Sequence, residues 1–397
     1  MKVLFYDDAP DFGGHELQTL AAARYMALQP GLEVGFMYFH GNVRLSKQLA
    51  DSGARNSCFK PLAQNYASQK FQFVRTLVSG SAIRRTAVEM KKFAPDVIVI
   101  AQGAIAFCSV GLMAAKKSGL PTISYIPMTH PERFFSESRL KALFREPVNR
   151  IYYRLPDEYI TINQRMEGYL RRKGLTQPVT VVQAAIDLAE LQIIEKTAAR
   201  ESLGFAAEDW VVALIGRVQF WQKQQDLAVK ALALARGQVP NLKLLLVGDG
   251  PDLDALKELA RSEGVEDIVV FAGWTDRLSV IYSAIDAMVI PSRYEGLPLV
   301  MLQAMYFRKP VIASAVDGML DILPPRWLFK CGDSAALAAR FVEVSRASET
   351  SLLDAQHEMV IRSHSLPVFE QAFMSAVMSA TDRLRRNGTI RRQTETV

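Results

Sequence analysis

Cysteine is scarce: Cys58, Cys108 and Cys331 are the only three in 397 residues, and they stand far apart in apolar neighbourhoods. Their spacing excludes a disulfide scaffold and a cysteine-based zinc site and predicts three reduced core thiols. No stretch reaches the ~18 uncharged apolar residues needed to cross a bilayer. The opening run Lys2-Val3-Leu4-Phe5-Tyr6 meets Asp7 and Asp8 too soon to be a signal-peptide core, so a cytoplasmic protein is expected. Repeats and low-complexity tracts are missing too. Hydrophobic residues at 49% and charged residues at 22% are globular values, which removes the disordered and fibrous classes. A chain of 397 residues is long enough for two or three domains with separate cores.

A modest net charge of +6 hides an uneven distribution. Residues 1–185 carry 24 Lys and Arg against 14 Asp and Glu, whereas residues 186–397 carry 23 against 27. Such asymmetry suggests that the first half meets an anionic partner or surface. Its basic and aromatic stretch Arg139-Leu140-Lys141-Ala142-Leu143-Phe144-Arg145, continued by Arg150, Tyr152, Tyr153 and Arg154, has the composition to rest on anionic lipid. A solvated helix face explains the charges equally well. No nucleic-acid module accompanies them.

Short continuous apolar runs recur along the chain. In the first half they are Lys2–Tyr6, Val34–Phe39, Asp96–Ala101, Thr122–Pro127, Glu158–Asn163 and Val179–Val182. In the second they are Trp210–Gly216, Leu242–Gly248, Ile268–Ala272, Ala287–Pro291, Pro310–Ser314 and a weaker Trp327–Cys331. Segments of helical period lie between them, among them Glu16–Leu28, Arg84–Phe93, Gln164–Lys173 capped by Asn163, and Gln225–Arg236. Continuous rather than alternating hydrophobicity predicts parallel sheets covered on both faces. The expectation is an α/β protein of two doubly wound domains, residues 1–185 and 186–366, then a helix over 367–386 returning to the first domain and a disordered tail over 387–397. In such sheets ligands bind outside the carboxyl ends of the strands, so facing domains would form a cleft.

Three strand-to-helix loops then carry the chemistry. Phe12-Gly13-Gly14-His15-Glu16 sets a glycine pair before a helix, where a backbone can approach a phosphate; a plain turn with a helix cap fits as well. The Gly-x-Gly-x-x-Gly dinucleotide fingerprint is missing after the first strand, which removes the main support for a nicotinamide or flavin oxidoreductase. Gly216-Arg217 and Lys223 place two cations at a strand end, suited to a pyrophosphate or to plain surface roles. Glu295-Gly296-Leu297-Pro298-Leu299 precedes a helix in which Gln303 interrupts an apolar stripe. Glu295 has the chemistry to accept sugar hydroxyls or to cap the helix, and Gln303 to bind ligand or to be a satisfied core amide.

Residues Ile215 to about Ile322 resemble the retaining glycosyltransferases of family 4, group 1 enzymes with the GT-B fold. The likeness rests on Gly216-Arg217 with Lys223, Leu245-Leu246-Val247-Gly248-Asp249-Gly250-Pro251, Phe271-Ala272-Gly273, Glu295-Gly296-Leu297-Pro298-Leu299-Val300 and Lys309-Pro310-Val311-Ile312-Ala313-Ser314. The first half matches more loosely, through Gly13-Gly14 and Glu16. The resemblance implies that Arg217 and Lys223 grip the diphosphate of a nucleotide sugar and Glu295 contacts its sugar, supported by the backbone of Gly296, Leu297, Pro298 and Leu299. It further implies that Thr275 lies beside the base, Gly14 near the phosphates, and His130 against the sugar, although a histidine beside a proline is as often structural.

Two departures stand out. The family's Glu-x7-Glu ends here in Gln303, whose amide binds a ribose hydroxyl without charge assistance, so weaker nucleotide binding is expected. The Asn-Gly usual before the hinge aspartate is Ala184-Ala185, ahead of Ile186-Asp187. Asp252-Leu253-Asp254 spells a manganese motif of the other glycosyltransferase fold but falls at a helix start, where capping explains it. No metal and no cofactor beyond the donor substrate are expected.

The implied activity moves a sugar from a nucleotide-diphosphate sugar to a hydroxyl of a saccharide or lipid-linked acceptor, with anomeric retention, in polysaccharide or glycoconjugate biosynthesis. Peripheral contact with an anionic inner membrane would follow from the basic first half. The rivals are a nucleotide-sugar epimerase, revealed by epimerised free sugar, and a non-catalytic partner subunit, revealed by absence of donor turnover.

Overall fold

The computed structural model describes residues 1–53, 59–135 and 139–388. It divides into two units: residues 1–184 with those from 366 onward, and Ala185–Ser365. The division falls within a residue of the boundaries read from the sequence.

The first unit is built on seven parallel strands: β1 (Lys2–Asp7), β2 (Glu33–Phe39), β3 (Phe59–Gln64), β4 (Val97–Ala101), β5 (Thr122–Tyr125), β6 (Glu158–Thr161) and β7 (Val179–Val181). Their order is β3-β2-β1-β4-β5-β6-β7. In β4 every side chain, Val97 to Ala101, is fully buried, as expected for a central strand covered on both faces. The sequence reading missed β3, because Lys60, Pro61 and Gln64 break its apolar run. As the edge strand it tolerates Pro61, whose missing N–H costs least where one side is unpaired. Asn163 caps the helix Gln164–Arg172, its Oδ1 accepting from Met166 N at 2.9 Å.

The closing helix, Leu366–Arg386, belongs to this first unit. It packs on the helix Gly14–Ala27, its Phe373 ring lies 6.2 Å from Phe5 and 5.3 Å from Tyr125, and Arg383 clasps Glu158 with two bonds of 2.9 and 2.6 Å. The polar tail from 389 on and Cys58 lie outside the described residues. Cys108 is a buried free thiol, as expected, whereas Cys331 is only half-buried.

The basic helix Arg139–Tyr153 differs from its sequence reading. Tyr152 and Tyr153 point inward and are fully buried, and Arg145 lies 3.3 Å from Glu132, so these three are not surface groups for a lipid. The outward face keeps Leu143, Phe144 and Ile151 with Arg150 and Arg154. The side chains of Arg139 and Lys141 lie outside those described.

The second unit is a six-stranded parallel sheet: β8 (Trp210–Ile215), β9 (Leu242–Val247), β10 (Val269–Gly273), β11 (Ala287–Ile290), β12 (Val311–Ser314) and β13 (Leu328–Phe329). Its order, β10-β9-β8-β11-β12-β13, repeats that of the first sheet, with the first strand between the second and fourth. That is the strand order whose switch point opens a ligand crevice. Among the described residues no helix is long and apolar enough to cross a membrane.

Candidate functional site

In the second unit the chain leaves β8 at Gly216, with φ at +149°, beside Gly248 at the end of β9, with φ at +136°. A Cβ on Gly248 would stand 2.0 Å from the Gly216 carbonyl oxygen, so only glycine lets the two strand ends come this close. The loop that follows is tied at four points. Val218 N donates to Asp249 O at 2.9 Å, Gln219 N to Gln225 Oε1 at 3.2 Å, Gln225 Nε2 to Arg217 O at 2.8 Å, and Phe220 N to Asp252 Oδ2 at 2.7 Å. Asp252 thus holds the neighbouring loop and makes no side-chain cap on its own helix, Leu253–Ser262, which corrects the capping read from the sequence. A single turn, Phe220–Lys223, delivers the Lys223 side chain.

That side chain meets the loop after β11. Lys223 Nζ donates to Glu295 Oε1 at 2.6 Å, and Glu295 is 6% exposed. The sequence reading kept the two apart, lysine for phosphate and glutamate for sugar; here they form one ion pair. The same two loops meet again where Arg293 N donates to Gln222 O at 2.8 Å and the Arg293 guanidinium lies 4.2 Å from the Trp221 ring centroid. Glu295 N donates to Asp317 Oδ2 at 2.9 Å.

Gly296, Leu297 and Pro298 are buried, and the helix Leu299–Tyr306 starts with no side-chain cap, Met301 N donating to Pro298 O at 3.1 Å; a helix start of this kind suits an anionic ligand. Gln303 is half-buried, and its Oε1 accepts from the Tyr282 hydroxyl at 2.9 Å, which satisfies the oxygen of the amide. Thr275 Oγ1 accepts from Arg277 N at 3.0 Å and closes the turn after β10. Arg217 stands at the end of β8 with its side chain exposed. Asp317 was missed in the sequence and Asp252 read only as a cap because they act on backbone groups 22 and 32 residues away, which only the fold brings within reach; Gln225, read only as part of a helix, ties backbone 6 and 8 residues back.

The first unit has its own cluster at the equivalent place. Gly13 caps the helix that begins at Gly14, and Glu16 Oε2 accepts from Gly13 N at 2.8 Å, so the glycine pair is a capped helix start. At the exit of β1, His15 Nε2 lies 3.0 Å from Glu16 Oε1 and 4.0 Å from Asp7 Oδ2. Burial, then the charge of Glu16, pushes the Asp7 carboxyl up to about 7. Burial alone would lower His15, but Glu16 and Asp7 override it and raise the imidazole to about 9. Ligand atoms of Asp7, His15 and Glu16 lie within 4.8 Å of one another, close enough to hold a cation. The imidazolium already supplies a positive charge there, so the trio is self-neutralising. Asp8 is separately satisfied, by Tyr6 Oη at 2.8 Å and by Ser68.

His130 departs from its expected role. Its ring is fully buried, with Phe134, Phe135 and Tyr169 centroids 5.4, 6.1 and 5.1 Å away, so it sits as a core ring and is closed to a sugar in this conformation.

Two parallel sheets with one strand order are the architecture of the GT-B class. The solved structure of Anabaena HepE in complex with UDP and glucose superposes on 96% of this chain and 100% of its own, with a TM-score of 0.78 at 20% identity, a likeness of fold. The family model for group 1 glycosyl transferases matches residues 195–352, and that for glycosyltransferase family 4 matches residues 13–190. The chain belongs to the group 1 glycosyltransferases. Among curated relatives, the putative glycosyltransferase EpsD of Bacillus subtilis is 29% identical over 213 residues, 51% of this chain and 55% of that protein. D-inositol 3-phosphate glycosyltransferase of Actinosynnema mirum is 37% identical over 152 residues, 36% of each chain. The chain thus spans between about a third and just over half of these relatives' lengths.

Proposed function

We propose that the protein transfers a sugar from a nucleotide-diphosphate sugar, held by the second unit, to a hydroxyl of a saccharide or lipid-linked acceptor held by the first, with retention at the anomeric carbon. The Lys223–Glu295 pair carries the reading: a cation and a sugar-binding carboxylate held together at adjoining strand ends, beside an uncapped helix start. Arg217 and Lys223 neutralise the departing diphosphate, where charge grows in the transition state, without calling for a metal. The backbone from Gly216 and from Gly296 to Leu299 lies against phosphate and sugar, Gln303 and Thr275 lie toward the nucleoside, and Gly14 adds a helix start in the first unit. Lys223 Nζ bonds one oxygen of Glu295, so its remaining N–H donors and the other carboxylate oxygen serve phosphate and sugar.

A thermal-shift panel of UDP-, GDP-, ADP- and TDP-sugars tests the donor, since a ligand that binds only the folded state raises its melting temperature. Product NMR then reads the anomer, and an inverted product refutes retention. Peripheral membrane association is part of the proposal. Leu143, Phe144 and Ile151 are exposed beside Arg150 and Arg154, and the neighbouring helix Gln72–Val78 exposes Val74, Leu77 and Val78. Co-sedimentation with anionic vesicles should fall with salt and with Arg150→Glu/Arg154→Glu; salt-independent binding would refute it.

A further inference from the structure

We infer that Asp317 is a positioning residue that fixes Glu295 against Lys223 and so sets the grip on the donor sugar; this rests on the donor-site reading above. Asp317 opens the helix Asp317–Ile322 after β12 with φ at +45°, a left-handed angle that costs an L-residue free energy. Gly318 follows directly, yet the angle falls on the aspartate and not on the glycine that would take it without strain. An aspartate in this conformation usually turns its side chain onto nearby backbone. Here the carboxylate, 7% exposed, reaches 22 residues back and accepts from Glu295 N at 2.9 Å. That amide is buried and needs an acceptor. The residue it belongs to is the one whose carboxylate holds Lys223 Nζ at 2.6 Å. Loops from three strands, β12, β11 and β8, are therefore linked in series through Asp317, Glu295 and Lys223.

The test compares Asp317→Asn, which keeps an acceptor of the same reach, with Asp317→Gly, which frees the backbone angle and removes the acceptor; Asp317→Ser, too short to reach, replaces glycine if that variant does not fold. Calorimetry measures UDP and UDP-glucose, or the matching pair for whichever nucleotide stabilises the wild type. Asp317→Gly should bind the bare nucleotide as the wild type does but lose about tenfold of the extra affinity conferred by the sugar, one hydrogen bond's worth. Its kcat should fall more than its KM rises, and Asp317→Asn should restore both. A crystal structure of Asp317→Gly gives a readout that needs no donor: the Glu295 carboxylate should have left Lys223. Retention of that contact with an unchanged sugar increment, or an Asp317→Asn variant as impaired as Asp317→Gly, overturns the inference. Failure of the wild type to bind any nucleotide sugar would instead sink the donor reading, with the crystal structure still deciding the role of Asp317.

Discussion

The two units share a strand order but place opposite balances of ionisable groups at the exit of their first strand. Where β1 ends, two carboxylates, Asp7 and Glu16, surround one imidazole. Where β8 ends, two cations, Arg217 and Lys223, stand with one carboxylate, Glu295. Overall charge runs the other way, because residues 1–185 have the basic surplus and residues 186–397 the acidic one. Surplus charge sits on solvated faces, whereas at the strand exits buried carboxylates, Asp7 and Glu16 in one unit and Glu295 in the other, are held against specific cationic partners. A domain's net charge therefore says little about which half binds a diphosphate.

Breaking the second exit should have the largest effect. Lys223→Ala is expected to lower transfer by about a hundredfold or more, as when one preorganised donor to a developing anion is removed. Glu295→Ala should cost a comparable factor while leaving affinity for the bare nucleotide close to wild type, since its proposed contact is with the sugar. Steady-state kinetics with the donor selected by thermal shift checks both. Near-normal transfer by either variant would make the second exit no more functional than the first.

The assignment of the last helix to the first unit can be tested through Arg383. Its guanidinium makes two bonds to Glu158, whose side chain is 2% exposed. Arg383→Ala strands a buried carboxylate and should cost roughly 2 kcal/mol in a denaturant melt. The double variant Arg383→Ala/Glu158→Gln should recover part of that loss. Equal stability of all three chains would show that the helix is anchored by its apolar face, Phe369, Phe373 and Val377 among it, and not by this ion pair.

The first exit gives a pH signature. Asp7 is raised from 3.8 to about 7 and His15 from 6.5 to about 9, so at this exit the folded chain binds more protons than the unfolded one. Stability should therefore fall as pH rises. The His15 share is complete below about pH 6.5 and is lost as pH climbs through 9; the Asp7 share is complete below about pH 4 and is lost on approaching 7. Melting temperatures across this range should show the decline, and Asp7→Asn should flatten its lower limb. A wild-type curve that rises from pH 4 to 7 would refute the proton-holding cluster.

Much of the fold was legible because central strands buried on both faces must be continuously apolar, as Val97 to Ala101 are. The edge strand β3 was not, since an edge needs no such run and admits Pro61. At the site, Arg217, Lys223 and Glu295 were readable as chemistry at strand ends. Their pairing was not, because ion pairs and the bond from Glu295 N to Asp317 are made between loops 72 and 22 residues apart. Inward-facing Tyr152 and Tyr153 show the converse error, residue type suggesting an exposure that helix phase denies, while the enclosed ring of His130 takes the structural alternative and not the sugar contact that the resemblance implied.

Gln303 offers the finest probe of the second exit. Its Oε1 accepts from Tyr282, a bond that glutamate would keep, so Gln303→Glu should fold normally. The position is half-buried and about one turn into the helix Leu299–Tyr306, and a carboxylate there would bind a ribose hydroxyl with charge assistance. Charge-assisted bonds are about twice as strong as neutral ones, so nucleotide affinity should rise by roughly three- to tenfold, with the relative preference among sugars unchanged. Calorimetry with the bare nucleotide measures this directly. Weaker nucleotide binding by Gln303→Glu would mean that the amide serves Tyr282 and the helix alone, and would move the nucleoside away from the helix Leu299–Tyr306.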